Sequence, residues 1–297
     1  MTRVIGIDIG GTKVAIGVVS SDGELSNLTT FPTPSGGQAI IALLLHEVKQ
    51  LMTVDCPDPI AGVGVGTGGV VDNRTGTVLY STDLIKQWAG CHLAAQLGVV
   101  GLPVKVANDG LTFALGEATF GAGVGHPDCA YVAIGTGVGG AVMVDGRLRL
   151  GPRFVAGEFG HIVYPTSRIC SCGKPGHIEA VASGPSMTAA YEEASGNPVA
   201  NLREVAALAL AGDGLAKQVL AEGARALGQV MAGVVMSLDL PVVVLGGGVG
   251  IGLGEQYRRC VSDTINQTLP HGLATEVFTA RLTVAAGVVG AGVLAMS

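Results

Sequence analysis

Apolar runs and glycine turns alternate along this chain with a regularity that predicts its elements. Val4-Ile5-Gly6-Ile7-Asp8-Ile9 reads as a strand running into Gly10-Gly11-Thr12-Lys13. Val14 to Val19 reads as a second strand, closed by the turn signal Ser21-Asp22-Gly23. From Gln38 to Met52, Ile41, Leu44, Leu45 and Val48 recur on one helical face. Ile60–Val65 and Pro103–Ala107 predict buried strands, the second followed by Asn108-Asp109 and a helical stretch to Phe120. The opening then repeats about 125 residues later: Ala130–Ile134, the turn Gly135-Thr136-Gly137-Val138-Gly139-Gly140, a strand over Ala141–Val144 and the turn Asp145-Gly146. Beyond Asn201 the pattern is helical to about Leu238, and Val242–Leu245 enters a third glycine turn, Gly246-Gly247-Gly248.

Helices interleaved with buried strands predict an α/β class with two lobes of similar design. The expected division is residues 1–110 and 111–283, with a last helix over 284–297 that could return to the first lobe, a placement periodicity alone does not establish. Mean hydropathy is +0.52, which raises the question of a membrane. The Val284–Met296 run falls short of the ~20 residues a span needs, and Asp239 and Pro241 interrupt the run around Val230–Val249. No signal-peptide pattern opens the chain, so the expectation is a soluble cytoplasmic protein.

Charged residues make up 13% of the chain, and a net charge of −6 argues against a nucleic-acid surface. Glycine is the outlier at 48 residues, which implies tight turns and close backbone approach. Six cysteines (Cys56, Cys91, Cys129, Cys170, Cys172, Cys260) are too few for a disulfide scaffold of this length.

A glycine turn after a strand presents backbone N–H groups to phosphate oxygens, although ordinary hairpins use glycine too. The first turn also sets Asp8 before it and Thr12 and Lys13 after it, which makes Asp8 a candidate Mg²⁺ anchor. Asn108-Asp109 at a strand end is either a helix cap or the position of a base that takes a proton from an attacking hydroxyl. His161, Cys170, Cys172 and His177 form a Cys₂His₂ set suited to tetrahedral zinc. Their plainer reading is reduced surface thiols and solvated imidazoles.

Taken in order, Asp8–Lys13, Asn108-Asp109, Gly135–Gly140, Glu158-Phe159-Gly160-His161 and Cys170-Ser171-Cys172-Gly173 resemble the ROK family of sugar kinases and repressors over nearly the whole length. The resemblance implies a two-lobed actin/hexokinase-like (ribonuclease H-like) fold with an interlobe active-site cleft. It implies Asp109 as general base, with Asn108, Glu158, His161 and Glu179 on sugar hydroxyls. The nucleotide, ATP with Mg²⁺, would be lined by Asp8, Gly10, Gly11, Thr12, Lys13, Gly135, Thr136, Gly137, Gly139, Gly246, Gly247 and Gly248. It further implies a structural Zn²⁺ and a homodimer. In the family His161 joins three cysteines at the metal, and here His177 stands where the third cysteine is expected.

The run Ser81-Thr82-Asp83-Leu84-Ile85-Lys86-Gln87-Trp88 and the triplet Asn108-Asp109-Gly110 resemble N-acetylmannosamine kinases, which implies Gly69 and Thr82 beside an N-acyl group. Glucose and N-acetylglucosamine remain alternatives. The family's repressors carry a helix-turn-helix ahead of the first lobe, and a first strand at Val4 leaves no room for one.

Overall fold

The computed structural model describes residues 1–53, 58–82 and 84–297; Cys56 and Asp83 lie outside the described residues. The chain divides into two compact units, the first formed by Met1–Gly125, Arg149–Gly157 and Val284–Ser297, the second by His126–Leu148 and Glu158–Thr283.

In the first unit, β1 (Arg3–Ile9), β2 (Lys13–Ser20) and β3 (Leu25–Pro32) form an antiparallel meander. After α1 (Gly37–Met52), β4 (Ile60–Thr67) pairs parallel to β1. A small hairpin of β5 (Val70–Asp72) and β6 (Thr77–Tyr80) and the short α2 (Leu93–Leu97) lead to β7 (Val104–Asn108), parallel to β4. Helix α3 (Asp109–Phe120) follows directly. The sheet order is β3-β2-β1-β4-β7. Ile40, Ile41, Leu44 and Val48 of α1 are buried with Ile5, Ile7 and Ile16, so the helical period seen in the sequence is the face turned to this core.

The second unit repeats the plan. β8 (Cys129–Ile134), β9 (Val138–Val144) and β10 (Arg147–Leu148) are antiparallel. Helices α4 (Glu179–Ala182), α5 (Gly184–Ser195), α6 (Leu202–Leu210) and α7 (Gly214–Leu238) precede β11 (Val242–Gly246), which runs parallel to β8. After α8 (Gly247–Gly252) and α9 (Gly254–Thr268), β12 (Glu276–Thr279) completes the order β10-β9-β8-β11-β12. The last helix, α10 (Ala286–Met296), returns to the first unit.

Several sequence expectations change. The first unit runs to Gly125 instead of ending near residue 110, because α3 and α10 pack on each other beside the sheet. The helical region after Asn201 is two helices, with Asp213 capping the second through Ala216 N–H. Helix α7 is long and apolar enough by length and composition to cross a membrane, yet 56% of its apolar window is buried inside the molecule. The second glycine turn is shorter than expected: β9 begins at Val138, so Gly139 and Gly140 are strand residues. The third is a strand-to-helix junction in which Gly246 ends β11 and Gly247, at φ +76°, opens α8.

Much of the glycine serves α10. A Cβ on Gly6 would lie 2.1 Å from the Val288 carbonyl oxygen, one on Gly64 1.7 Å from that of Ala291, and one on Gly290 1.7 Å from that of Thr112. Helix α10 therefore lies backbone to backbone on β1, β4 and α3.

Candidate active site

Parallel strands deliver side chains to one edge of a sheet, and ligands of open α/β sheets bind beyond that carboxyl edge. In the first unit Ile9, Thr67 and Asn108 stand in register at the ends of β1, β4 and β7. Asp8, the Gly10–Lys13 turn, Gly68-Gly69 and Asp109 consequently gather at one edge. The turn is closed by Gly10 N–H to the Lys13 carbonyl at 2.9 Å, and Thr33 Oγ1 donates to the Gly10 carbonyl at 2.7 Å. Gly11, Thr12 and Lys13 are exposed.

Asn108 is the N-cap of α3: its Oδ1 accepts from Gly110 N–H at 2.8 Å, while Nδ2 donates to the Gly69 carbonyl at 2.8 Å. The resemblance assigned this side chain to sugar hydroxyls; here each end meets the protein. Capping falls to Asn108 and leaves Asp109 in the first turn of the helix, where the helix dipole favours a carboxylate. Gly68 faces that carboxylate, with its virtual Cβ 3.9 Å from Oδ2.

Gly69, at φ +100°, must be glycine, since a Cβ would come within 2.4 Å of the Tyr80 carbonyl oxygen. That approach sets Gly69 against the end of β6, two residues before Thr82. Trp88 is a core anchor, 1% exposed, and its indole N–H donates to Thr67 Oγ1 at 2.9 Å. Asp8 lies against the start of α10, with the virtual Cβ of Gly287 2.6 Å from its carboxylate. Burial pushes its carboxyl up to about 6, and Lys13 opposes that push.

The second unit brings together the other residues. β8 and β11 end side by side, Ala133 opposite Gly246, so the Gly135–Gly137 turn and the Gly247-Gly248 junction share an edge. Among the described residues nothing lies within 4 Å of where a Cβ would stand on Gly135, Gly139 or Gly248, leaving bare backbone open to a phosphate group. Gly137 and Gly247 are glycines for a different reason. A Cβ on Gly137 would sit 2.6 Å from Glu179 Oε2, and one on Gly247 2.3 Å from the Ile134 carbonyl oxygen. Thr136 is exposed at the tip of the turn.

Between Ile162 and Ile178 the chain doubles back. Bridges Val163–His177 and Ile169–Pro175 and a tight turn from Cys170 to Gly173 (φ +83°) fold it into a finger. This brings the donor atoms of His161, Cys170, Cys172 and His177 within 4.8 Å of one another. Cys172 Sγ is 3.3 Å from His177 Nδ1, and the two imidazoles meet edge to face at 5.2 Å. His161 Nδ1 is 3.4 Å from Glu158 Oε2, and this carboxylate raises the imidazole's pKa against the effect of burial. His161 Nε2 is buried with no hydrogen-bond partner among the described residues. An orphaned ring nitrogen beside two thiols and a second imidazole suits a tetrahedral soft-metal site.

Glu179 opens α4 beside this finger. It is 7% exposed, and its carboxylate accepts from Val138 N–H on Oε2 at 3.0 Å and from Ser171 Oγ on Oε1 at 2.5 Å, with Cys170 Sγ 3.3 Å from Oε1. Ser171 was visible between the two cysteines, but the Val138 amide has no side-chain signature.

A family model described as the ROK family matches residues 4–297. The glucokinase of Streptomyces coelicolor is 36% identical over 216 residues, 72% of this chain and 66% of the relative, so the chain spans just under two thirds of that relative's length. An N-acetylmannosamine kinase of Yersinia pestis is 30% identical over 271 residues, 91% of this chain and 90% of the relative. Among solved structures, a ROK family glucokinase from Streptomyces griseus in complex with glucose and AMPPNP has a TM-score of 0.87 at 33% identity, covering 99% of each chain. With it comes the actin/hexokinase-like α/β fold, which the repeated five-stranded sheets exhibit. Motif order, sheet topology and a match across nearly every residue agree, and the chain belongs to the ROK family.

Proposed function

We propose that this chain is an ATP-dependent kinase acting on the 6-hydroxyl of N-acetyl-D-mannosamine, with glucose as the competing substrate. The observation that carries the kinase reading is Asp109. Its carboxylate stands in the first turn of α3 at the end of β7, beside bare Gly68 backbone, with neighbouring Asn108 committed to the cap. A base so held accepts the proton of an attacking sugar hydroxyl as its oxygen bonds to the γ-phosphorus and ADP departs. Backbone at Gly135, Gly139 and Gly248 suits the nucleotide's phosphates. Asp8 would hold Mg²⁺, which neutralises phosphate charge when bound.

Asn108, Glu158, His161 and Glu179 are the candidates for sugar hydroxyls. A structural Zn²⁺ on His161, Cys170, Cys172 and His177 would fix His161 in place. N-acetylmannosamine is favoured by the run from Ser81 to Trp88, whose start borders Gly69 through Tyr80. Glucose is favoured by the more similar glucokinase relative.

The test is initial rates for N-acetylmannosamine, N-acetylglucosamine, glucose, mannose and fructose at fixed ATP and Mg²⁺. Asp109→Asn should nearly abolish turnover on the best substrate while sugar binding persists. Retention of more than about a tenth of the wild-type rate would remove Asp109 as the base, since loss of general-base catalysis alone costs ~10²–10⁴-fold.

A further inference from the structure

Residues 149–157 fold with the first unit, although the sequence on either side of them belongs to the second. Within this strap Gly151, Phe154 and Gly157 adopt left-handed backbone, at φ +70°, +58° and +93°. Glycine takes that conformation freely. A phenylalanine there crowds its Cβ against backbone oxygen and persists only where its surroundings hold it. Phe154 N–H donates to the Gly151 carbonyl at 3.3 Å, and Phe154 is half-buried while Gly151, Pro152, Arg153 and Val155 are exposed. Its ring meets the β5–β6 hairpin: the Arg74 guanidinium stands 5.0 Å from the ring centroid, within the range of a cation–π contact. Arg74 is in turn held by Asp72, which is 8% exposed. Nε donates to Oδ1 at 3.0 Å, Nη2 to Oδ2 at 2.9 Å and the Arg74 amide to Oδ1 at 3.0 Å. A bidentate pair fixes the plane of the guanidinium as well as its charge. The Asp72 carbonyl also closes the hairpin turn, accepting from Gly76 N–H at 2.8 Å.

We propose that Asp72, Arg74 and Phe154 form a latch that seats the strap on the hairpin, and that Arg74 is thereby a positioning residue for sugar binding. The strap runs directly into Glu158, and the hairpin begins at Val70, next to Gly69. The latch therefore governs how the chain enters Glu158, four residues beyond the ring it grips. The sugar part of this inference rests on the reading of Glu158 as a ligand of sugar hydroxyls; the latch itself does not. Neither Arg74 nor Phe154 is among the residues read as meeting sugar, nucleotide or metal, so replacing them leaves the chemistry in place.

The experiment compares wild type with Phe154→Ala, Phe154→Tyr, Arg74→Ala and the Arg74→Ala, Phe154→Ala double variant. The readouts are backbone hydrogen exchange of peptides covering 149–158 and KM for the best sugar and for ATP, each against kcat. Either alanine variant should exchange faster over 149–158 and raise KM for the sugar by about two- to fivefold, the scale of one exposed cation–π contact. KM for ATP should be unchanged and kcat should fall less than about twofold, because an interaction lost equally from ground and transition states moves KM alone. The double variant should match the single ones, since partners in one contact do not add. Phe154→Tyr keeps a ring over which the guanidinium can sit and should restore wild-type values. Unchanged exchange over 149–158 in either alanine variant overturns the proposal. So do effects that multiply in the double variant, a tyrosine that fails to rescue, or a KM for ATP that rises as much as that for the sugar. Wild type that phosphorylates none of the sugars tested removes the proposed function and the sugar part with it, while the exchange comparison still decides the latch.

Discussion

Replacing Gly64 by Ala tests the seam between α10 and the first sheet. The new methyl carbon would start 1.7 Å from the Ala291 carbonyl oxygen and 3.3 Å from the Ala295 Cβ. Restoring even a 3.0 Å contact requires α10 to retreat by about 1.3 Å. The obstacle is helix backbone, so no rotamer change relieves it. The same movement loosens the seats of Val288 on Gly6 and of Gly290 on Thr112. Overpacking in a core costs about 1–3 kcal/mol, and this site belongs at the upper end. A loss of about 3 kcal/mol lowers Tm by roughly 6–12 °C in a chain of this size. The control is Gly233→Ala on the exposed side of α7, where none of the described residues lies within 4 Å of the new methyl. It should raise stability by about 1 kcal/mol through helix propensity alone. Thermal unfolding followed by circular dichroism reads both. If Gly64→Ala melts within about 2 °C of wild type, the backbone-to-backbone seam is not what holds α10.

Other perturbations address the site. Asp8, with its carboxyl raised from 3.8 to about 6, binds a proton when folded that it releases when unfolded. Its contribution to stability is therefore full below pH 3.8 and declines as pH rises through about 6. Asp8→Asn should flatten that decline; a Tm difference from wild type that stays constant between about pH 4 and 7 would contradict the assignment. Trp88→Phe leaves the buried Thr67 hydroxyl without its indole donor and should cost about 1–3 kcal/mol by denaturant titration. Because Thr67 leads into Gly68-Gly69, KM for the sugar should rise with it, and an unchanged KM would separate the two. His177→Ala should lower the zinc content of unchelated protein while His177→Cys keeps it; full metal in the alanine variant would strike His177 from the ligand set.

Elements announced by side-chain period were legible before any coordinates. β1 and β2 followed from alternating apolar runs, α1 from its 3.6-residue spacing, and the duplicated strand–turn–strand unit from its repeat. The Cys/His set was legible as well, because soft ligands in one short segment have few other uses. What escaped depends on tertiary approach. The β5–β6 hairpin is too short to carry a period, and the return of α10 to the first unit could be named as an option but not fixed by any local signal. Gly137 reads as a phosphate turn by motif, yet its missing Cβ makes room for Glu179. The partners that hold Glu179 and Asn108 within the protein, the Val138 amide, the Ser171 hydroxyl, the Gly110 amide and the Gly69 carbonyl, escaped as well, since a sequence displays side chains and not the amides and carbonyls that meet them.

The return of α10 also orders events during synthesis. A ribosome releases the sheet of the first unit long before the segment that covers β1 and β4, because the whole second unit is translated in between. The second unit has all its own strands and helices to hand once Thr283 emerges. The earlier half of the nascent polypeptide must wait, with its apolar sheet face uncovered, for Ala286–Met296. Deleting those residues would therefore damage the end of the protein that was made first.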